Sequence, residues 1–378
     1  MKLVNYIVLG LLLISNNCLA VTFQKNDIKL DVNGYLGYKY IISSEQNTTI
    51  KSEPELGLML SLQLHDYLSI YTQFKYDEII DNALVYSFAS FDYPIYEDLS
   101  ISLKAGKLRN SLSLYNDLRI SPRTRPQVIM PQAIYWNNLG TILTSGVGVR
   151  LDVEWKNLEV SYSIAEPIIT DPVSDAKAWA GALIEKTSTK FGDSQVAYVK
   201  YTGDDIPVTV KSSWTRFNLG NNYTPLYPFL FPDDYKRDNI FHLFNNSLQY
   251  IWRDKLTLTG EHIFVKGSLN DWDEPKNWSY GWTVSAKYEL TEYLSIYTNY
   301  NQYVSKISKL NSSIKTPHNL ATTSDINGGF NYHRDDWQIG IEAHRIQGAR
   351  WMNSDDYKSD PNGYDTWWMV GMNFAYFF

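Results

Sequence analysis

Apolar and polar residues alternate along most of this chain. From Ile28 to Tyr40 the even positions are Ile28, Leu30, Val32, Gly34, Leu36, Tyr38 and Tyr40, and Lys29, Asp31, Asn33 and Lys39 fall between them. Leu56, Leu58, Leu60, Leu62 and Leu64 alternate with Glu55, Gly57, Met59, Ser61 and Gln63, and Trp278 to Glu289 repeats the pattern. A period of two places successive side chains on opposite faces of a strand, and a helical period of 3.6 fits none of these segments.

The same reading along the chain predicts sixteen strands between residue 28 and residue 378. Their connections follow a rhythm. Short turns such as His65-Asp66, Lys156-Asn157, Arg253-Asp254 and Arg334-Asp335 take every second place, and longer loops at 108–140, 167–193, 218–239, 304–323 and 347–363 fall between them. Residues 175–187, within one long loop, read as a helical turn. Strict short and long alternation puts all short turns at one rim of an up-and-down meander. The expectation is an all-β fold, a transmembrane antiparallel β-barrel with both termini at the short-turn rim.

A soluble β-sandwich or β-helix also alternates, but four features oppose it here. Charges such as Lys75, Lys104, Glu154, Lys211, Glu261 and Lys287 sit in mid-strand on the polar face. Tyr and Trp crowd the apolar face near strand ends, where a membrane interface places them. The strands are about ten residues long, enough to span hydrocarbon when tilted, and closure satisfies every backbone edge there.

Composition narrows the function. The chain has 378 residues, 15% aromatic, with a net charge of -7 and one Cys. An acidic chain of this kind does not present the basic face of a nucleic-acid binder, so no nucleic acid is expected as a partner. Residues 1–20 read as a signal peptide, with Lys2 in the charged region, Ile7 to Ile14 as the apolar core and Ala20 at the cut. Its removal takes Cys18 away, which excludes disulfides and thiolate metal sites from the remaining 21–378 barrel.

Candidate chemistry centres on segment 108–140, the third long loop. Arg109, Arg119, Arg123 and Arg125 stand there against Asp117 alone, in a chain that is otherwise acidic. Cations gathered in a narrow, low-dielectric section would focus their field on passing anions. The alternative is that they pair with wall carboxylates such as Glu154 or Glu261 and only hold the loop in place. Pro122, Pro126 and Pro131 stiffen this segment.

The alternative function is a barrel enzyme. A phospholipase type would use His262, on the apolar parity, with Asn245 and Ser247, and a protease type would use Asp233-Asp234 or Asp355-Asp356 at the long-loop rim. No His-Glu-x-x-His, Gly-x-Ser-x-Gly or Gly-rich phosphate loop occurs, so no cofactor, metal or catalytic residue is assigned.

The end of the chain carries the sharpest signal: Trp368, Val370, Met372, Phe374, Tyr376 and Phe378 form an alternating apolar stripe ending on Phe. This resembles the C-terminal signature of Gram-negative outer-membrane barrels, which implies reading of Phe374, Tyr376 and Phe378 by the barrel-insertion machinery. The whole of 21–378 is similar to sixteen-stranded porins. Locally, Gly106-Lys107, Leu114-Tyr115-Asn116, Arg119, Thr124-Arg125-Pro126 and Pro131-Gln132-Ala133-Ile134-Tyr135 look like a segment of gammaproteobacterial porin-like proteins. The layout more remotely resembles the porin O/P group, whose ladder of lumenal Arg and Lys is not evident in this sequence. The resemblance implies an outer-membrane channel for passive diffusion of small hydrophilic solutes. It also implies 108–140 folding inward as the constriction, a homotrimer, and contact with outer-membrane lipid and lipopolysaccharide. Gly34, Ala286, Gly328 and Ala343 on the apolar parity are the small residues that a flat barrel-to-barrel contact would use.

Overall fold

A computed structural model of the chain describes residues 21–25, 27–44, 49–76, 84–109, 111–115, 121–135, 146–167, 184–204, 206–225, 235–269, 277–307, 322–348 and 366–378. Residues 1–20, Asp117, Arg119, Asp233-Asp234 and Asp355-Asp356 lie outside these.

The strands are β1 (Val21–Lys25), β2 (Ile28–Ser43), β3 (Thr49–His65), β4 (Leu68–Tyr76), β5 (Leu84–Tyr96) and β6 (Leu99–Leu108). After a short helix α1 (Gln132–Tyr135) come β7 (Gly146–Trp155), β8 (Leu158–Pro167), β9 (Ile184–Thr202), β10 (Val208–Pro225) and β11 (Tyr235–Trp252). The series ends with β12 (Leu256–Leu269), β13 (Asn277–Glu289), β14 (Leu294–Ile307), β15 (Thr322–Arg334), β16 (Trp337–Gln347) and β17 (Thr366–Phe377). From β2 onward each strand pairs antiparallel with the next, and β17 returns to pair with β2, closing a sixteen-stranded up-and-down barrel. The all-β expectation holds.

Three differences from the sequence reading have physical causes. Segment 167–193 is not all loop: β9 starts at Ile184, so residues 184–187 of the expected helical turn are strand, because Thr187, Ser188 and Thr189 find ladder partners in Tyr223, Asn222 and Asn221. Likewise β10 runs to Pro225 and β11 starts at Tyr235, inside the expected loop 218–239. These polar extensions rise past the apolar band and carry no alternation to read. Third, β1 is additional: Val21 to Lys25 pair with Val32 to Ile28 along the same edge of β2 that receives β17.

Outward parity is apolar and exposed: Val149 is 52% exposed, Leu248 51% and Val284 56%. An apolar belt this continuous fits a hydrocarbon solvent rather than water. The two-residue turns lie at the opposite end from the long loops, and Lys156, Arg253, Asp254 and Asp335 hold positive φ there. Both central residues of Arg253-Asp254 do so, the geometry of a hairpin turn whose twist matches its strands.

The closing seam is packed on both faces. Tyr35 and Phe377 face the lumen with ring centroids 6.1 Å apart, and Tyr35 lies flat on Gly57, where a Cβ would come within 2.0 Å of its ring. On the outer face the Phe378 ring occupies the space above Gly34, while Phe378 and Gly34 exchange backbone hydrogen bonds at 2.8 and 3.0 Å. Trp337 stands between Phe374 and Tyr376, at 4.9 and 4.6 Å.

Phe378 therefore completes the last rung of closure. Replacing it with Asp removes the ring from Gly34 and sets a carboxylate at the interface, which costs on the order of 1 kcal/mol there and more if dragged deeper. Phe378→Asp is expected to lower the heat-modifiable barrel on a gel severalfold with exported chain unchanged; an unaltered barrel band would contradict it.

Candidate functional site

The described parts of segment 108–140 lie inside the barrel, fastened by side chains of the wall. Glu261 on β12 accepts the Leu114 N–H at 3.2 Å and the Tyr135 hydroxyl at 2.7 Å. Glu342 on β16 accepts the N–H groups of Val128 at 3.2 Å and Ile129 at 2.6 Å. Glu55 on β3 pairs with Arg125 at 2.9 Å. Further contacts come from Lys211 to Ser111 at 2.7 Å, Ser213 to the Leu112 carbonyl at 2.5 Å and Gln338 to the Pro122 carbonyl at 3.0 Å. An inward loop exposes backbone N–H groups that would be left bare in a narrow space. Buried carboxylates satisfy several at once, and such charge-assisted bonds are about twice as strong as neutral ones.

Apolar packing supplies the rest of the hold. Val128, Ile129 and Ala133 cluster with Tyr303, Ile346, Trp367 and Met369 of the wall. Leu112, Ile134 and Tyr135 cluster with Phe217, Phe241, Leu243, Ile263 and Val265. The upper lumenal faces of β10, β11 and β12 are thus apolar, because the loop rather than water covers them. The sequence reading missed these wall residues. Their signal was present as a loss of alternation, since apolar residues occupy both parities at Ile263, Phe264 and Val265.

Glu342 belongs to a wider buried network. Tyr297 donates to it at 2.7 Å, and His344 bridges it at 2.9 Å to Asp325 at 2.8 Å. Asn301 and Asn327 donate to the same Asp325 oxygen at 3.0 and 3.1 Å. In the loop, burial pushes the Tyr115 hydroxyl up to about 12, and burial with Glu261 beside it pushes Tyr135 well above its ordinary value. Both phenols stay protonated donors at any physiological pH.

The anchors just named fall on β3, β10, β12 and β16, and apolar packing adds β11, β14 and β17. The lumenal wall from β4 to β9 carries a different set. Asp152 lies between Lys104 at 2.7 Å and Arg150 at 2.6 Å, and Glu159 pairs with Lys200 at 3.2 Å and with Arg150 at 3.7 Å. Tyr71 and Phe88 add a ring pair at 5.4 Å on the same wall. The ion pairs set Lys104, Arg150 and Lys200 against Asp152 and Glu159, with Glu154 directly opposite Glu159 in register, and set Lys75 with Arg125 against Glu55, where Lys75 stands 3.3 Å away.

The sequence-selected arginines are distributed rather than gathered. Arg109 is buried at the end of β6, and Arg125 is engaged with Glu55 rather than with Glu154 or Glu261. Arg123 is exposed, its guanidinium 5.3 Å from the Phe377 ring near the short-turn rim. The phospholipase-type set does not assemble: His262 faces outward, whereas Asn245 and Ser247 face the lumen, 0% and 3% exposed. Strand parity separates them.

No protein-family profile and no curated protein matches this sequence. The fold is that of outer-membrane porin barrels. OmpT, an outer membrane protein of Vibrio cholerae that is also seen in a trimer form, superposes with a TM-score of 0.64 at 12% identity, over 95% of this chain and 100% of its own. The outer membrane channel DcaP of Acinetobacter baumannii gives 0.60 at 12%, over 95% and 100%. An anion-selective porin from Comamonas acidovorans gives 0.61 at 9%, over 93% and 100%.

Removing Glu342 leaves two loop N–H groups, a phenol and His344 without their acceptor. Glu342→Ala is expected to cost about 3 kcal/mol of barrel stability, since each orphaned buried donor costs about 1–3 kcal/mol. Hydrogen exchange at the Val128 and Ile129 amides should accelerate in the same variant. Unchanged protection at both would show that the apolar cluster alone holds the loop.

Proposed function

We propose that the chain is an outer-membrane porin, exported through residues 1–20, that passes small hydrophilic solutes by diffusion with a mild preference for anions. The observation that carries this reading is the placement of the loop. Wall carboxylates and two apolar clusters fasten it to β3, to β10–β12 and to β14, β16 and β17, so the open path is assigned to the β4–β9 side. Loop donors occupy Glu55, Glu261 and Glu342 on the fastened side, and Lys75 with Arg125 leaves the Glu55 cluster one cation in excess. Arg109 and Arg123 add to that excess, with Arg119 and Asp117 completing the constriction set. Two unit charges about 5 Å apart interact by roughly 3 kcal/mol at an effective dielectric near 20, enough to bias passage severalfold. The similarity to an anion-selective porin accords with this sign.

The chain requires no chemical step for this activity. Its partners are outer-membrane lipid and lipopolysaccharide, the insertion machinery that reads Phe374, Tyr376 and Phe378, and two further copies of itself. Support for a homotrimer comes from the outer face. Ala286, Thr298, Gly328, Ala343 and Val370 follow one another in register across β13 to β17, a flat row where another barrel can approach closely. Gly34 does not belong to it, since the Phe378 ring covers that position.

Two measurements test these readings. In a potassium chloride gradient across a planar bilayer the protein should give discrete conductance steps and a reversal potential of anion-selective sign. Changing Arg119, Arg123 and Arg125 together to Ala should move that potential toward cations. A cation-selective protein, or a triple variant with the same potential, would overturn the selectivity assignment. Native mass spectrometry is expected to show trimers, and Ala343→Trp monomers; monomers alone for the unaltered protein would reject the assembly.

A further inference from the structure

The outer wall carries charge where lipid should meet it. Outward positions on the strands concerned are apolar over most of their length, with Val210, Phe244, Leu248 and Leu258 all exposed. Toward the long-loop ends of β10, β11 and β12 the chemistry changes. Arg216 is directly opposite His242, and His242 is directly opposite Lys266. All three point outward, because their chain neighbours Thr215, Phe217, Phe241, Leu243 and Val265 are buried on the lumenal side. Lys266 is exposed, and Arg216 and His242 are half-buried. Adjacent strands lie about 4.8 Å apart, so the row spans on the order of 10 Å along the belt.

Aromatic residues mark the level of this row. Trp214 stacks on His242 with centroids 6.0 Å apart and donates its Nε1–H to His242 Nδ1 at 3.3 Å. That bond leaves Nε2 as the imidazole's donor. The row continues to Trp278, which stacks on Tyr280 at 5.7 Å. Trp and Tyr collect at the boundary between hydrocarbon and headgroups. Cations in mid-bilayer would cost about 2–4 kcal/mol each, against roughly 0–1 near the interface. Height agrees: Arg216 stands eight residues beyond Val208, on the order of 26 Å of strand from the short-turn rim.

Asp193 of β9 approaches Arg216 at 4.0 Å and is half exposed, a pair too loose to neutralise the row, and the exposed Glu166 of β8 lies one strand further from it. Arg345 also faces outward but stands alone between Ile326 and Trp368. Three nitrogen donors in one row beside stacked indoles match phosphate groups carried on a lipid headgroup.

We propose that Arg216, His242 and Lys266 form an outward-facing site for the phosphates of lipopolysaccharide on the long-loop side of the membrane. The inference rests on the outer-membrane location given above and not on the channel activity. The site secures the barrel to its lipid ring at the headgroup level, where diffusion through the lumen is unaffected.

The test uses the full barrel in neutral detergent, titrated with lipopolysaccharide and read by native mass spectrometry. The unaltered protein should bind about tenfold more tightly than Arg216→Gln/Lys266→Gln, with Arg345→Gln behaving as the unaltered protein. Enzymatically dephosphorylated lipopolysaccharide should bind the unaltered protein as weakly as the double variant binds the intact lipid. Equal binding by the double variant, or of the dephosphorylated lipid, would overturn the proposal. Displacement by millimolar inorganic phosphate would overturn it too, by showing a site for soluble anions. Heat-modifiability verifies folding of each variant, and the two single substitutions, each expected to weaken binding, replace the double one if it does not fold. Conductance in lipopolysaccharide-free bilayers is recorded separately. Absent steps with intact lipid discrimination would reject the channel and leave this site standing, and the converse result would do the opposite.

Discussion

A backbone surrounded by hydrocarbon has no water to receive its hydrogen bonds, and the whole architecture follows from that constraint. Every strand from β2 to β17 is paired on both edges, and the last rung is made by Gly34 and Phe378 at the terminus itself. Closure forces the strands into one meander and fixes parity around the ring. Side chains of one parity meet lipid and those of the other meet the lumen. Leu56 and Glu55, adjacent in the chain, are consequently 37% and 4% exposed, one solvated by hydrocarbon and the other buried under Arg125.

Parity also sets what the inward loop must bring. A segment entering the lumen carries unpaired N–H groups and apolar side chains into a space walled by polar residues. The barrel answers with carboxylates at three places and with apolar patches where the loop crosses β10–β12, β14, β16 and β17. The carboxylates that make the chain acidic are thus partly spent on loop donors, and net charge is a poor guide to the field in the passage. Arg125 illustrates the coupling. It sits beside Glu55 as an anchor, yet Lys75 shares the same carboxylate, so the cluster as a whole remains cationic. Anchoring of the loop and the local charge of the wall are two consequences of one arrangement.

Much of this was legible along the chain. Period-two alternation gave the strands and their parity, as Lys75, Lys211 and Glu261 confirm by facing the lumen. Turn lengths gave the two rims. The polar upper parts of β9, β10 and β11 were not legible, because above the apolar band strand pairing rests on the backbone ladder and the sequence there has no alternation to distinguish it from a loop. The catalytic trio of His262, Asn245 and Ser247 was close in number and in strand, but one step of parity put the wall between its members.

The sequence by itself determined the class of fold and the face on which its alternating strand residues lie, since those depend on local periodicity. Only the tertiary structure decided which carboxylates receive the loop, which cations pair with which carboxylates on the wall, and that Arg216, His242 and Lys266 share one outward row. Those relations join residues up to 214 positions apart, as Val128 and Glu342 are, and depend on strand register. Register is fixed by the closed ring of pairings, so no segment of the chain contains it alone.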